Sequence, residues 1–198
     1  MSELIPLLDS VKRCTLCADQ LPLGPRPVVR ISGTARLLVI GQAPGTKVHA
    51  SGIPWDDASG KRLRQWMGIS DALFYNQQHI AIMPMGFCYP GKGKSGDLPP
   101  RPECADTWHQ PLRSQMPAIE LTLLIGQYAQ NYYLHDHFRT LTERVKHWRD
   151  SPPGYIALPH PSPRNQLWLK KNPWFEQETV PYLRQRIRAI LGTELCES

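Results

Sequence analysis

The stretch Arg36-Leu37-Leu38-Val39-Ile40-Gly41-Gln42-Ala43-Pro44-Gly45 decides the fold. An unbroken aliphatic run stops at a Gly-Gln-Ala-Pro-Gly turn, the pattern of a strand buried on both faces. Ligands of open α/β sheets sit in the crevice beyond the carboxyl ends of such strands. Gly41 and Gly45 carry no Cβ, so the backbone can approach a ligand closely there and offer bare N–H groups. The turn therefore reads either as a main-chain binding loop or as an ordinary strand end.

Outward from this strand the chain alternates. Residues 78–84, 119–126 and 155–159 read as further strands, the second stopped by Gly126 and the third running into His160. Helical patterns fall at residues 2–13, 60–67, 102–115, 127–134, 137–148 and 174–191, with loops at 46–59 and 89–102. Strands alternating with helices predict an α/β fold whose mostly parallel sheet is covered on both faces. Neither a repeat nor a composition break divides the 198 residues, so a single domain over 1–198 is expected.

The net charge of +6 favours polyanionic partners, nucleic acid first. No apolar run is long enough to span a bilayer, so no membrane partner is expected. Met1-Ser2-Glu3-Leu4-Ile5-Pro6 lacks the basic start and apolar core of a signal peptide. The expectation is a cytoplasmic protein, acting as a monomer. Five cysteines in that compartment favour metal or cluster ligation over disulfides. Cys14-x-x-Cys17 can grip one centre from a single turn, and Cys88 and Cys104 can complete a tetrahedron. This arithmetic admits a Cys₄ zinc site or a 4Fe-4S cluster, and Cys196 stands outside it.

Gly41-Gln42-Ala43-Pro44-Gly45, Gly52-Ile53-Pro54-Trp55, Cys88 with Cys104, and His160-Pro161-Ser162-Pro163 follow one another in the order and spacing of the uracil-DNA glycosylase superfamily. The chain resembles most its iron–sulfur branches, known from thermophiles as families four and five. The resemblance implies a three-layer α/β/α sandwich around a central four-stranded, mostly parallel sheet. It also implies a 4Fe-4S cluster on Cys14, Cys17, Cys88 and Cys104 (zinc being the second choice) and DNA as partner. The implied activity is base excision repair: hydrolysis of the N-glycosidic bond of a deaminated base flipped out of the duplex.

By this resemblance Trp55 stacks on the base, where the family usually has Phe; the plain reading of the same residue is a core aromatic. His160 donates to the base carbonyl as negative charge develops, and the backbone at Gly41, Gln42 and Ala43 faces the base. Ser162, Pro163, Arg164 and Asn165 form a minor-groove wedge, in a His-Pro-Ser-Pro-Arg-Asn string similar to single-strand-selective monofunctional uracil glycosylases. Lys170, Lys171 and the Lys92/Lys94 loop track phosphates or are solvated surface charges.

Three positions depart from the pattern. Pro84 stands where family four has the Asn that reads uracil, and a proline side chain neither donates nor accepts. Ala43 stands where family one has its water-positioning Asp, and Gln42 where the iron–sulfur branches have Glu. Asp57 takes over as the catalytic carboxylate, activating water or stabilising the sugar cation, or else it caps the following helix. His49 is a weaker candidate in the same region. Two functions follow: a glycosylase for uracil or a broader set such as hypoxanthine, or an inactive DNA-binding relative.

Overall fold

A computed structural model describes residues 3–193 and Cys196. The sheet is built from β1 (Leu37–Ile40), β2 (Ile80–Ile82), β3 (Leu121–Ile125) and β4 (Tyr155–Leu158), in the order β2-β1-β3-β4. Every pairing is parallel: Leu37 lies opposite Ile80 and Leu121, and Leu123 opposite Ile156. β1, β2 and β3 are buried at every position, as strands covered on both faces must be. The chain runs from β1 to β2 on one side and then back past β1 to β3. The β1/β3 boundary is thus the switch point, where a crevice opens beyond the carboxyl ends.

Helices cover both faces. In chain order they are α1 (Leu4–Lys12), α2 (Thr46–Ser51), α3 (Ala58–Met67), α4 (Asp71–Phe74), α5 (Pro102–Cys104), α6 (Gln110–Ser114), α7 (Gln127–Tyr133), α8 (Leu141–Lys146), α9 (Gln166–Lys171) and α10 (Val180–Leu191). The three-layer expectation is met, and the sheet is wholly rather than mostly parallel. The two predicted helices at 102–115 and 174–191 each contain a π-helical stretch, Ala105–His109 and Phe175–Thr179. Pro111 and Pro181 supply the cause. A proline inside a helix lacks an N–H and presses on the carbonyl four residues back, and the preceding turn widens to relieve it.

The predicted loop at 46–59 is a correction. It holds α2, which Gly52 ends in the left-handed region (φ 72°), and the following helix starts at Ala58 rather than Gly60. α2 has six residues and a single buried one, Val48, so it carries no periodicity for a sequence reading to detect.

Residues before β1 close the sheet edge. Arg30 and Ile82 exchange backbone hydrogen bonds of 2.9 and 2.7 Å, and the Val28 N–H donates to Phe87 (2.8 Å). The outer side of β2 is therefore covered rather than exposed. Among the described residues, no helix is long and apolar enough to cross a membrane.

Candidate functional site

The carboxyl ends of β1, β2 and β4 lead to Gly41, Pro84 and His160, which line one cleft with Trp55 and Asp57. The turns after β1 and β2 are tied together: Met85 N–H donates to Gly41 O and Gly86 N–H to Gln42 O, both at 2.9 Å.

Trp55 is seated under strain. Its φ of 58° makes it the one non-glycine residue in the left-handed region among those described. For a bulky side chain this conformation must be imposed by its surroundings. Two glycines make room for it and an arginine holds it. The indole lies on Gly41, where a Cβ would come within 2.6 Å of the ring, and the Trp55 carbonyl runs against Gly60, where a Cβ would come within 1.8 Å. Arg64 donates to that carbonyl at 3.2 Å, and its Nε sits 2.6 Å from Asp71. Trp55 packs partly on the core and also lines the cleft. Nothing in the local sequence signals the strained backbone.

The His160 ring stands 5.7 Å from the Trp55 ring, tilted by 34°. Burial lowers its pKa, and the Asp57 charge partly opposes that fall. Its carbonyl accepts from Asn165 Nδ2 at 2.7 Å, so Asn165, expected at the DNA, holds the histidine loop from within. Ser162 Oγ accepts from the Arg164 N–H (3.2 Å), as in a short turn cap. Arg62 of α3, which sequence reasoning missed, donates to Ser162 O (3.2 Å) and Gln166 Oε1 (3.0 Å) and clasps the loop. Pro163 is exposed, as are Lys170 and Lys171 at the end of α9.

Asp57 is the N-cap of α3: its Oδ1 accepts from Gly60 N–H at 2.7 Å. It also lines the cleft, so capping and a place in the site coexist. His49 lies on α2 with its ring 6.2 Å from Tyr89; the cleft is lined there by Val48 instead.

Behind Pro84 lies buried His109. Pro84 O only accepts, so His109 Nε2 carries the proton of that 3.0 Å bond and Nδ1 accepts from Tyr133 O–H at 2.6 Å. Burial pulls the His109 pKa down to about 4, which keeps the ring neutral. With its carbonyl turned to His109, Pro84 gives the cleft a wall without a polar reader.

A second feature escaped the sequence reading. Residues 91–98 form a small hairpin, with Lys92 bridged to Asp97 and Leu98 N–H bonded to Gly91 O at 2.8 Å. Gln42 Nε2 donates to Leu98 O (3.4 Å) and Arg164 to Ser95 O (3.0 Å). Arg164, expected as a wedge, is thus a latch on this hairpin. Gly, Lys and Ser dominate the segment, a composition that hides a fold held by its neighbours.

The four cysteines converge without forming a metal-ready group. Among the described residues, no three His, Cys, Asp or Glu side chains are placed to hold a metal ion. Yet Cys17 feels Cys14, Cys88 feels both, and Cys104 feels all three, each raising the next thiol's pKa. Burial is the larger cause and pushes Cys88 up to about 11 and Cys104 to about 12. Backbone N–H groups of Arg26 and Phe87 donate to Cys88 and Cys104 sulfur (3.3 and 3.4 Å), and the Trp108 indole donates to Cys14 (3.4 Å).

Comparison with protein families gives one match. The family described as the uracil DNA glycosylase superfamily matches residues 30–184, which includes every cleft-lining residue except Val28, and neither Cys14 nor Cys17.

Proposed function

The chain belongs to the uracil DNA glycosylase superfamily, and from that membership we propose that it is a monofunctional glycosylase acting on a deaminated base in DNA. Members of the superfamily are DNA glycosylases as a class, and DNA is the partner they imply. The observation that carries the proposal is the meeting of Gly41, Trp55, Pro84 and His160 around one cleft at the carboxyl end of the sheet.

The base leaves its stack and enters the cleft. Two stacking contacts of about 3.5 Å each would need roughly 7 Å between rings, and Trp55 and His160 are 5.7 Å apart. The base therefore lies on a face of Trp55 with His160 reaching its edge, rather than between the two rings. As the N-glycosidic bond breaks, electrons move onto the base and positive charge grows on the sugar. Neutral His160 donates its ring N–H to the base anion. Asp57 keeps one oxygen on the α3 cap and offers the negative field of the other to the sugar cation.

Pro84 sets the substrate range. A wall with no side-chain donor or acceptor reads no Watson–Crick edge, so uracil shares the cleft with larger deaminated bases such as hypoxanthine. The catalytically inactive reading keeps one support: Ala43 supplies no carboxylate to water.

For the cysteines, the proposal is a 4Fe-4S cluster on Cys14, Cys17, Cys88 and Cys104, with zinc as the second choice. The donor set fits: four thiols of soft character, mutually within electrostatic reach, three of them receiving N–H donors of the kind that tune cluster sulfurs. When bound, such a cluster supplies a rigid cross-link between the N-terminal segment and residues 88–104.

The test is base release from oligonucleotides carrying uracil, hypoxanthine, xanthine or ethenocytosine, single- and double-stranded. Release is expected, and His160→Ala lowers it by about 10²–10³-fold. No release from any substrate, with DNA binding retained, establishes the inactive reading instead.

A further inference from the structure

The glycosylase reading leaves one chemical part unassigned, the group that takes the proton of the attacking water. Ala43 offers no polar atom. Asp57 has Oδ1 committed to the Gly60 N–H at 2.7 Å, which is where α3 needs it. Facing both across the cleft mouth is Asp97, near the end of the hairpin at residues 91–98. Its carboxylate shares a cavity with Gln42, Ala43, Asp57, His160 and Ser162. Asp97 Oδ2 lies 3.4 Å from the point that a Cβ on Gly45 would occupy, so the carboxylate rests directly against the turn that ends β1.

From this placement, and resting on the glycosylase reading, we propose that Asp97 is the catalytic base that activates water. Water's oxygen bonds to the sugar C1′ as the C1′–N bond pair leaves with the base. The proton lost by the water passes to the Asp97 carboxylate and from there to solvent, while the departing base anion, held by His160, is protonated from solvent. No other co-reactant is needed.

Three observations converge on this residue. The hairpin is anchored on both sides of Asp97, at Ser95 O by Arg164 and at Leu98 O by Gln42, which holds the carboxylate in place. The carboxylate itself rests against the turn after β1, in the cavity that Asp57 and His160 also line. Its surroundings also favour a base. Burial and the Asp57 charge raise its pKa, against Arg164 from the loop after β4 and Lys92 from its own hairpin. A carboxylate moved upward is a better proton acceptor near neutral pH. Two carboxylates then divide the work, Asp57 for the sugar cation and Asp97 for the water.

The experiment is single-turnover base release by wild type, Asp97→Asn and Asp97→Ala, with DNA affinity and thermal unfolding of each. Asp97→Asn is expected to slow release by about 10²-fold or more, without weakening DNA binding, since a negative charge near phosphates is removed. The acid limb of the wild-type pH–rate profile disappears in the Asn variant, and added formate restores release by Asp97→Ala. Asp97→Asn releasing base as fast as wild type overturns the assignment while leaving the glycosylase reading in place. So does a loss that formate does not restore and that leaves the pH profile unchanged in shape, which marks a structural role. A wild type that releases no base from any substrate overturns both.

Discussion

At the scale of single residues, the site depends on what surrounds Trp55. Gly60 sits inside α3, where alanine is ordinarily better than glycine by about 1 kcal/mol. Here the sign reverses. A Cβ at Gly60 would lie 1.8 Å from the Trp55 carbonyl oxygen, a backbone atom that cannot swing away. Gly60→Ala is expected to destabilise by about 1–3 kcal/mol, seen as a lower Tm, and a raised Tm would show that Trp55 is not locked. Gly41→Ala meets only the far edge of the indole, which can tilt. That variant keeps its Tm and loses base release, separating the stacking surface from the fold. His109 makes a second prediction. Its pKa of about 4 lies below the ordinary 6.5, so the unfolded chain binds the proton more readily. Its stabilising contribution is present above pH 6.5 and is lost as pH falls toward 4, by about 3 kcal/mol. In His109→Gln, which keeps a donor for Pro84 O, unfolding measured across that range flattens by this amount; an unchanged slope would remove His109 from the acid response.

At the scale of elements, the hairpin at residues 91–98 and the loop after β4 hold each other. The Arg164–Ser95 bond is exposed, and one such bond contributes about 0.5–1.5 kcal/mol. Arg164→Ala should therefore free the hairpin by up to about tenfold in its opening equilibrium, read as faster tryptic cleavage at Lys92 and Lys94. Cleavage at the wild-type rate would return Arg164 to the wedge role alone. This interplay was invisible in the sequence, for a physical reason. Leu37, Leu38, Val39 and Ile40 announce β1 because burial on both faces demands an unbroken apolar run, and β3 and β4 announce themselves likewise. α2 and the hairpin are held by single contacts, such as Arg26 donating to Ala50 O at 2.9 Å. Contacts of that kind join residues far apart in the chain and leave no local pattern. The motif residues Gly41, Trp55, Pro84 and His160 were legible by resemblance, whereas Asp97, Arg62 and His109 matter only through where the fold brings them.

At the scale of the whole molecule, the family match begins at residue 30, yet two of the four cysteines lie before it. Few side-chain contacts fasten this leading segment near its CxxC: Cys17 and Leu21 pack with Cys88 in a small apolar cluster apart from the main core, and Cys14 receives the Trp108 indole. A proposed cluster that joins Cys17 to Cys88 closes a loop of about 70 residues, and closure on that scale restricts the unfolded chain by roughly 4 kcal/mol. For a domain of this size that corresponds to about 10 °C in Tm. The double variant Cys14→Ser/Cys17→Ser, prepared without oxygen, is expected to lose its iron, its brown colour and about that much Tm, while the four-stranded sheet keeps its circular dichroism. Wild type and variant are then compared for base release. The cleft's lining residues, Val28 apart, lie within the matched region and none of them is a cysteine, so chemistry on bound DNA should persist below the lowered Tm. The cysteine zone still reaches the cleft through Arg26, whose N–H donates to Cys88 sulfur and whose guanidinium supports the end of α2. Loss of the proposed cluster is therefore expected to loosen the α2 wall and broaden base selection while release persists. A wild type that carries zinc and no iron would replace the cluster but keep the cross-link. One that carries neither, with a Tm the serine variant matches, would end the case for any metal at this site.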